Sequence, residues 1–267
     1  MLVIGERINA TRDRVATALN ERDESYIAKE VQIQEETGAD FIDVNAGSDP
    51  SEEEANLQWA IKVVQDNTDL PLCIDSSTAE LFEEALGLIE GDRVMMNSIT
   101  AEEDKMESLL PLAAEHNADL VALTMGDGGM PETAEERVEL TRTMVEAAEE
   151  HGVGEDKLYI DPCVQPVSTS PEQGPAVVEA VRKITDEFDE IHTTCGLSNV
   201  SFGLPYRNVL NRVYLAYLIE AGLDSAILDP SEHDINATIL AAEALCGQDD
   251  YCMNYVQAAR EGDLQPE

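Results

Sequence analysis

Positive charge is what this sequence has least of. Sixteen Lys and Arg stand against 56 Asp and Glu, a formal net charge of −40 over 267 residues. Such a chain offers no basic face to a phosphate backbone or an anionic bilayer, so nucleic acid and membranes are not expected as partners. Acidic runs such as Ser51 to Glu54 and Glu102 to Asp104 read as solvated helix faces. Because the excess extends along the whole chain, with Lys rarer than Arg, we expect adaptation to high internal salt, where counterions screen the self-repulsion. No apolar run approaches the roughly 18 residues that cross a bilayer. The opening MLVIGER has no basic n-region, long apolar core or small-residue cleavage site, and no signal peptide is expected. The five cysteines (73, 163, 195, 246 and 252) contain no CxxC pair. That argues against a disulfide scaffold or zinc knuckle and for a reducing cytoplasm; Cys73 and Cys163 sit in strand patterns and read as small core residues.

Histidine is equally sparse. His116 and His151 fall where helices should end, His192 at the wrong end of its strand, and His233 just beyond the last strand as a loop or cap residue. A metal hydrolase barrel places several His at strand tips, so no bound metal is expected. No Lys falls at a strand's C-terminal end, which disfavours a Schiff-base aldolase. The dinucleotide and P-loop glycine signatures are missing too.

What is present is a regular alternation. Hydrophobic residues make up 43 % of the chain, enough for a packed core. Eight short apolar segments, at 2–8, 41–46, 72–76, 93–98, 120–125, 158–164, 193–198 and 226–229, read as strands. Helical patterns follow them. Ser51 with Glu54, Ser77 with Glu80, Thr100 with Glu103 and Thr133 with Glu136 read as capping boxes, and Ser170 with Pro171 and Gln173 as another helix start. Gly38, Gly91, Gly152 and Gly222 read as helix ends. Expected core faces are Leu81, Ala85 and Leu88; Met106, Leu109, Leu110 and Ala113; Val177, Val181 and Ile184; and Val209, Leu210, Val213, Tyr214 and Tyr217. Eight strand–helix units in a chain close to the usual length of about 250 residues point to a single-domain α/β fold, a (β/α)8 TIM barrel over 1–262, with a polar tail at 263–267 that frays. An open doubly wound sheet is the runner-up.

A TIM barrel carries its site at the C-terminal strand ends. These ends read Glu6 and Asn9, Asp43 and Asn45, Asp75, Asn97, Thr124 and Met125, Asp161, Ser198 and Asn199, and Asp229. Any one of them reads as a cap or turn residue; together they converge on one rim. Carboxylates and carboxamides suit a neutral heterocycle with amidine-like N–H groups, since a carboxylate accepts two parallel hydrogen bonds from such an edge. The last two loops lack the glycine-rich, basic character of a phosphate cradle.

The same strand ends carry a resemblance. GERIN, DVNAG, CIDSS, MMNS, YIDP and GLSNVSFGLPYRNVLNR, in this order along essentially the whole chain, resemble the pterin-binding methyltransferases. These comprise methyltetrahydrofolate:corrinoid protein methyltransferases and the folate domain of cobalamin-dependent methionine synthase. The resemblance implies that Asp75, Asn97 and Asp161 hydrogen-bond the pterin edge and that Asn199 reaches toward N5 as the residue tied to catalysis. It places Gly196 and Ser198 in the same loop and Arg207 near the aminobenzoyl-glutamate side. Glu6, Asn9, Asp43, Asn45 and Met125 line the pocket floor or support it, and Phe202 stands where some members have a polar residue. The implied reaction moves a methyl group, in either direction, between N5 of tetrahydrofolate or 5-methyltetrahydrofolate and the cobalt of a corrinoid. The corrinoid is expected on a partner protein, since the chain carries no DxHxxG segment. Family members are usually homodimers, and the apolar segment 209–218 reads equally as an interface or as packing on the barrel. Alternatives are a dihydropteroate synthase-like enzyme, which needs a Lys and an Arg for pyrophosphate, and a non-catalytic folate-binding module.

Overall fold

The computed structural model describes residues 1–47, 51–232 and 234–264. Its strands are β1 (Leu2–Asn9), β2 (Phe41–Asn45), β3 (Leu72–Asp75), β4 (Val94–Thr100), β5 (Asp119–Leu123), β6 (Leu158–Asp161), β7 (His192–Thr193) and β8 (Ser225–Leu228). All pairs are parallel, in the order β7-β6-β5-β4-β3-β2-β1-β8. Between β7 and β8 the ladder is reduced to one isolated bridge, where the Ile227 N–H donates to the Cys195 carbonyl at 2.9 Å. The result is the expected (β/α)8 barrel, nearly closed.

The helices are α1 (Asp13–Glu21), α2 (Glu24–Glu36), α3 (Glu53–Gln65), α4 (Ala79–Leu86), α5 (Glu103–Glu115), α6 (Ala134–Glu150), α7 (Gln173–Glu187), α8 (Arg207–Ala221), α9 (Ile235–Leu245) and α10 (Met253–Glu261). None of the described helices is long and apolar enough to cross a membrane. Among the described contacts, Thr133–Glu136 is the one expected capping box seen with both reciprocal bonds. Ser51 lies two residues before α3. Thr78 displaces Ser77 as the cap of α4, accepting from the Leu81 N–H. Thr100 stays in β4 because it pairs with Leu123 across the ladder. Helix α7 starts only at Gln173. Gly38, Gly152 and Gly222 take the left-handed conformation after helices, whereas α4 stops at Leu86 and leaves Gly91 in the following loop.

That early stop also corrects one apolar face: Phe82, Ala85 and Leu86 are buried and Leu88 lies outside the helix. The faces on α5 and α7 are buried as expected, with Met106 half-buried. On α8 the barrel takes Asn211, Tyr214, Leu215, Leu218 and Ile219, and turns Val209, Leu210, Val213 and Tyr217 outward. Apolar residues on both sides of that helix left its core face undetermined by periodicity alone.

Within the barrel, Ile4, Phe41, Cys73, Met95, Val121, Tyr159 and Ile227 form one buried apolar layer. Side chains alternate along a strand, so the residues two further on share the inner face one layer higher. Those residues are Glu6, Asp43, Asp75, Asn97, Leu123, Asp161 and Asp229. Strand period thus stacks a polar layer directly on an apolar floor.

Candidate active site at the barrel mouth

Register builds the polar layer. Asn45 lies opposite Asp75, and Asp75 opposite Asn97. The Asn45 amide Nδ2 donates to Asp75 Oδ2 at 2.8 Å, and Asn97 Nδ2 donates to Asp43 Oδ1 at 3.2 Å. Among the described residues no Lys or Arg pairs with Asp43, Asp75 or Asp161. Burial therefore acts with little opposition. It raises Asp43 well above the usual carboxylate range, helped by neighbouring Asp75. Asp75 is raised by its own burial, against the Asn45 hydrogen bond. Asp161 is pushed up to about 6 by burial, while the Cys163 and Gly196 N–H groups and the Arg137 charge pull the other way. Glu6 is pushed up to about 7, first by burial and then by Asp229 and Glu232, against a hydrogen bond from Ser198.

Asp161 closes a tight turn, its Oδ1 accepting from the Cys163 N–H at 2.7 Å. Cys163 therefore lies in the loop after β6 at φ 56°, still buried but outside the strand expected to hold it. The seventh strand is also shorter than expected. Ser198 and Asn199 lie not at a strand tip but in a 3-10 turn, Leu197–Ser201, anchored by buried Leu197 and Val200. Asn199 is exposed at the mouth, beside Gly196. The Arg207 guanidinium brackets this turn, donating to the Ser198 carbonyl at 2.5 Å and to Ser201 Oγ at 3.0 Å. The exposed Phe202 ring lies 6.0 Å from it.

The supporting residues divide. Asn9 Oδ1 accepts from the Thr11 N–H and hydroxyl, so that side of its amide serves its own turn. Met125 is half-buried, and its carbonyl accepts from the Ala101 N–H at 2.7 Å, tying the loops after β4 and β5 together. His233 falls outside the described residues, as do residues 265–267 of the polar tail. Two arginines escaped the sequence reading. Arg7 joins β1 to α2 and the end of β8, reaching Glu30 Oε2 at 2.7 Å and Asp229 Oδ2 at 2.8 Å; its place in GERIN was the available signal. Arg137 is fully buried in α6, where helix periodicity gave no reason to look for a charge.

The barrel carries carboxylates and carboxamides at its mouth, and the chain belongs to the pterin-binding enzymes, whose family model matches residues 5–229. It is 39 % identical, over all of this chain and 98 % of the relative, to a methylcorrinoid:tetrahydrofolate methyltransferase of Eubacterium limosum. It is 31 % identical to methionine synthase of Mycobacterium tuberculosis (strain ATCC 25618 / H37Rv) over 87 % of this chain, which is 20 % of that protein. Among solved structures, dihydropteroate synthase from Xanthomonas albilineans with 7,8-dihydropteroate superposes with a TM-score of 0.72 at 18 % identity, covering 93 % of this chain and 94 % of that one. At that identity the likeness concerns the fold.

Proposed function

We propose that this chain moves a methyl group between N5 of tetrahydrofolate and the cobalt of a corrinoid carried by a partner protein. One observation carries the reading: Asp75, Asn97 and Asp161 stand in one layer at the strand ends, where carboxylates and a carboxamide match the N–H-rich edge of a pterin. The full-length relative from Eubacterium limosum supports the chemistry, and its name favours methylcorrinoid as donor and tetrahydrofolate as acceptor. In that direction the N5 lone pair forms the new N–CH3 bond, the cobalt–carbon electron pair stays on cobalt, and N5 sheds its proton. In the reverse direction N5 regains a proton as it leaves.

Asn199 is assigned to N5. A carboxamide is no acid at neutral pH, so its part is to position a hydrogen bond that strengthens in the transition state. Proton movement falls to buried carboxylates. Glu6, at about 7, reaches the Asn199 turn through Ser198, and Asp161, at about 6, holds the Gly196 N–H of the same loop. Groups titrating near the working pH are the effective ones for such transfer. Asp43 and Asn45 form the floor, with Asn9 and Met125 beside it, and Gly196, Ser198 and Arg207 hold the Asn199 turn. Arg207 and Phe202 flank the direction assigned to the aminobenzoyl-glutamate chain. A dihydropteroate synthase-type reaction is disfavoured because the loop at 194–206 carries no Lys, and Arg7 and Arg207 are committed, Arg7 to Asp229 and Glu30 and Arg207 to the Ser198 turn.

The barrel over 1–262 is the proposed pterin-binding unit. We also assign the outward face of α8 to a homodimer. Val209, Leu210, Val213 and Tyr217 are exposed there, and residues 191–219 contain no Asp or Glu in a chain otherwise crowded with them. All five cysteines are unpaired, which supports a reducing cytoplasmic setting.

The test is a visible spectrum of methylcobalamin and tetrahydrofolate mixed anaerobically with the protein in high KCl, then with its corrinoid protein. Demethylation that needs both protein and folate is the expected result. Folate binding without turnover, even with the corrinoid protein supplied, would point to a binding module. Absence of folate binding would overturn the reading.

A further inference from the structure

Arg137 is the largest fully buried side chain of the described structure, and it is charged. Its three hydrogen bonds all go to neutral oxygens. Nε donates to the Pro162 carbonyl at 2.6 Å, Nη1 to the Thr133 carbonyl at 3.0 Å and Nη2 to Gln173 Oε1 at 2.7 Å. Gln173 in turn donates to the Glu132 carbonyl at 3.0 Å. One side chain thus ties the start of α6, the loop before it and the start of α7 to the turn after β6. No carboxylate lies within ion-pair distance among the described residues. A buried guanidinium without a counter-ion is costly, and its desolvation lowers the Arg137 pKa. Two carboxylates feel its field: solvent-facing Glu136 one residue before it, and buried Asp161, the residue before Pro162.

We propose that Arg137 is a positioning residue for Asp161: it clamps the Asp161–Pro162–Cys163 turn through the Pro162 carbonyl and brings a buried positive charge without a carboxylate partner to that turn, so that Asp161 meets the pterin edge as an anion. The pterin part of this rests on the function proposed above; the hold on Asp161 does not. The turn and the charge work together. The Cys163 and Gly196 N–H groups fix the carboxylate's direction, and Arg137 opposes the protonation that burial favours. The other titratable groups facing this pair are the Cys163 thiol, pushed up to about 12 by burial, the Cys195 thiol and the Tyr214 phenol, both raised by burial, and Glu136, which faces solvent and caps α6. None of the two thiols and the phenol changes charge near neutral pH, so a pH effect on this turn reports Asp161.

The test uses the full chain as wild type, R137M, R137K and D161N. Carboxyl carbon NMR follows the Asp161 midpoint, with D161N identifying the resonance, and tetrahydrofolate affinity is measured from pH 5 to 8. In R137M the midpoint is expected to rise by about one pH unit or more. Folate affinity should then fall about fivefold at pH 6 while staying near wild type at pH 8, and R137K should restore most of both. Should R137M not fold, R137Q, which keeps a donor for Pro162 and removes only the charge, is read in the same way. An unmoved midpoint, or an affinity loss equal at every pH, would mean a merely structural clamp and overturn the proposal. A moved midpoint with folate binding indifferent to D161N would instead sink the pterin role of Asp161 and leave the electrostatic hold standing.

Discussion

Gly196 and Asn199 lie so close that a Cβ on residue 196 would stand 3.0 Å from Asn199 Nδ2. The glycine is required by space and not by conformation, since its φ of −72° suits any residue. Gly196→Ala should therefore push the Asn199 amide off its position with the barrel otherwise intact. The amide must yield by only a few tenths of an ångström, well short of the misplacement of about 1 Å that costs about a hundredfold in rate. Turnover is expected to fall several-fold, with an unchanged circular dichroism spectrum.

Asn199→Ala separates binding from catalysis. The side chain is exposed at the mouth and holds little of the fold, so stability should barely change. Losing one transition-state hydrogen bond typically costs about 100- to 1000-fold in kcat. The tetrahydrofolate Kd should move far less. Equal losses in both would show that Asn199 serves ground-state binding.

Glu6→Gln should stabilise the protein, and only at higher pH. Burial raises the Glu6 pKa from 4.5 to about 7, so ionising it opposes folding. That penalty is absent below about 4.5, grows between the two values and is complete above about 7, reaching at most about 3 kcal/mol. The variant should melt higher than wild type at pH 8 and equally at pH 4. The same change should flatten the pH dependence of turnover near neutrality. A uniform gain at all pH values would contradict the buried charge.

The net charge of −40 sets a response to salt. Screening length falls from about 10 Å at 0.1 M to about 3 Å at 1 M, which relieves repulsion among exposed carboxylates. Each kcal/mol gained raises Tm by about 2–4 °C in a chain of this size. Calorimetry across that KCl range should show Tm climbing by several degrees. A flat response would remove the high-salt reading.

Val213→Asp tests the α8 face. The residue is 52 % exposed, so a carboxylate there costs the monomer little. In a dimer it would bury two like charges against each other. Sedimentation should change from dimer to monomer, and a wild type already monomeric would refute the assignment.

The strand ends are the legible part of the site. A TIM barrel carries its chemistry at the C-terminal ends of its strands, and Asp43, Asp75, Asn97 and Asp161 stand out there in the sequence. The strand period, seen in the structure, explains why they share the inner face. Helix faces are less legible where the pattern is permissive. On α8 both flanks are apolar, and only the packed neighbours decide that Tyr214 goes in and Val213 out. A capping residue fails where sheet pairing competes, at Thr100. Arg137 was invisible, because a buried cation held by the Pro162 carbonyl and the Gln173 side chain, both distant in sequence, leaves no local signature.

The shortness of β7 has a further consequence for how this rim can change. In β2 or β3 a one-residue insertion would flip every later side chain to the opposite face and scramble the polar layer. After Thr194, whose N–H still donates to the Ile160 carbonyl of β6, only the bridge of Gly196 to Ile227 ties the backbone to the ladder, and packing of Leu197 and Val200 sets its path. Length and sequence there can drift without a register slip. Asn199 thus rides on a rim segment where insertions and deletions leave the alternation of the other strands untouched.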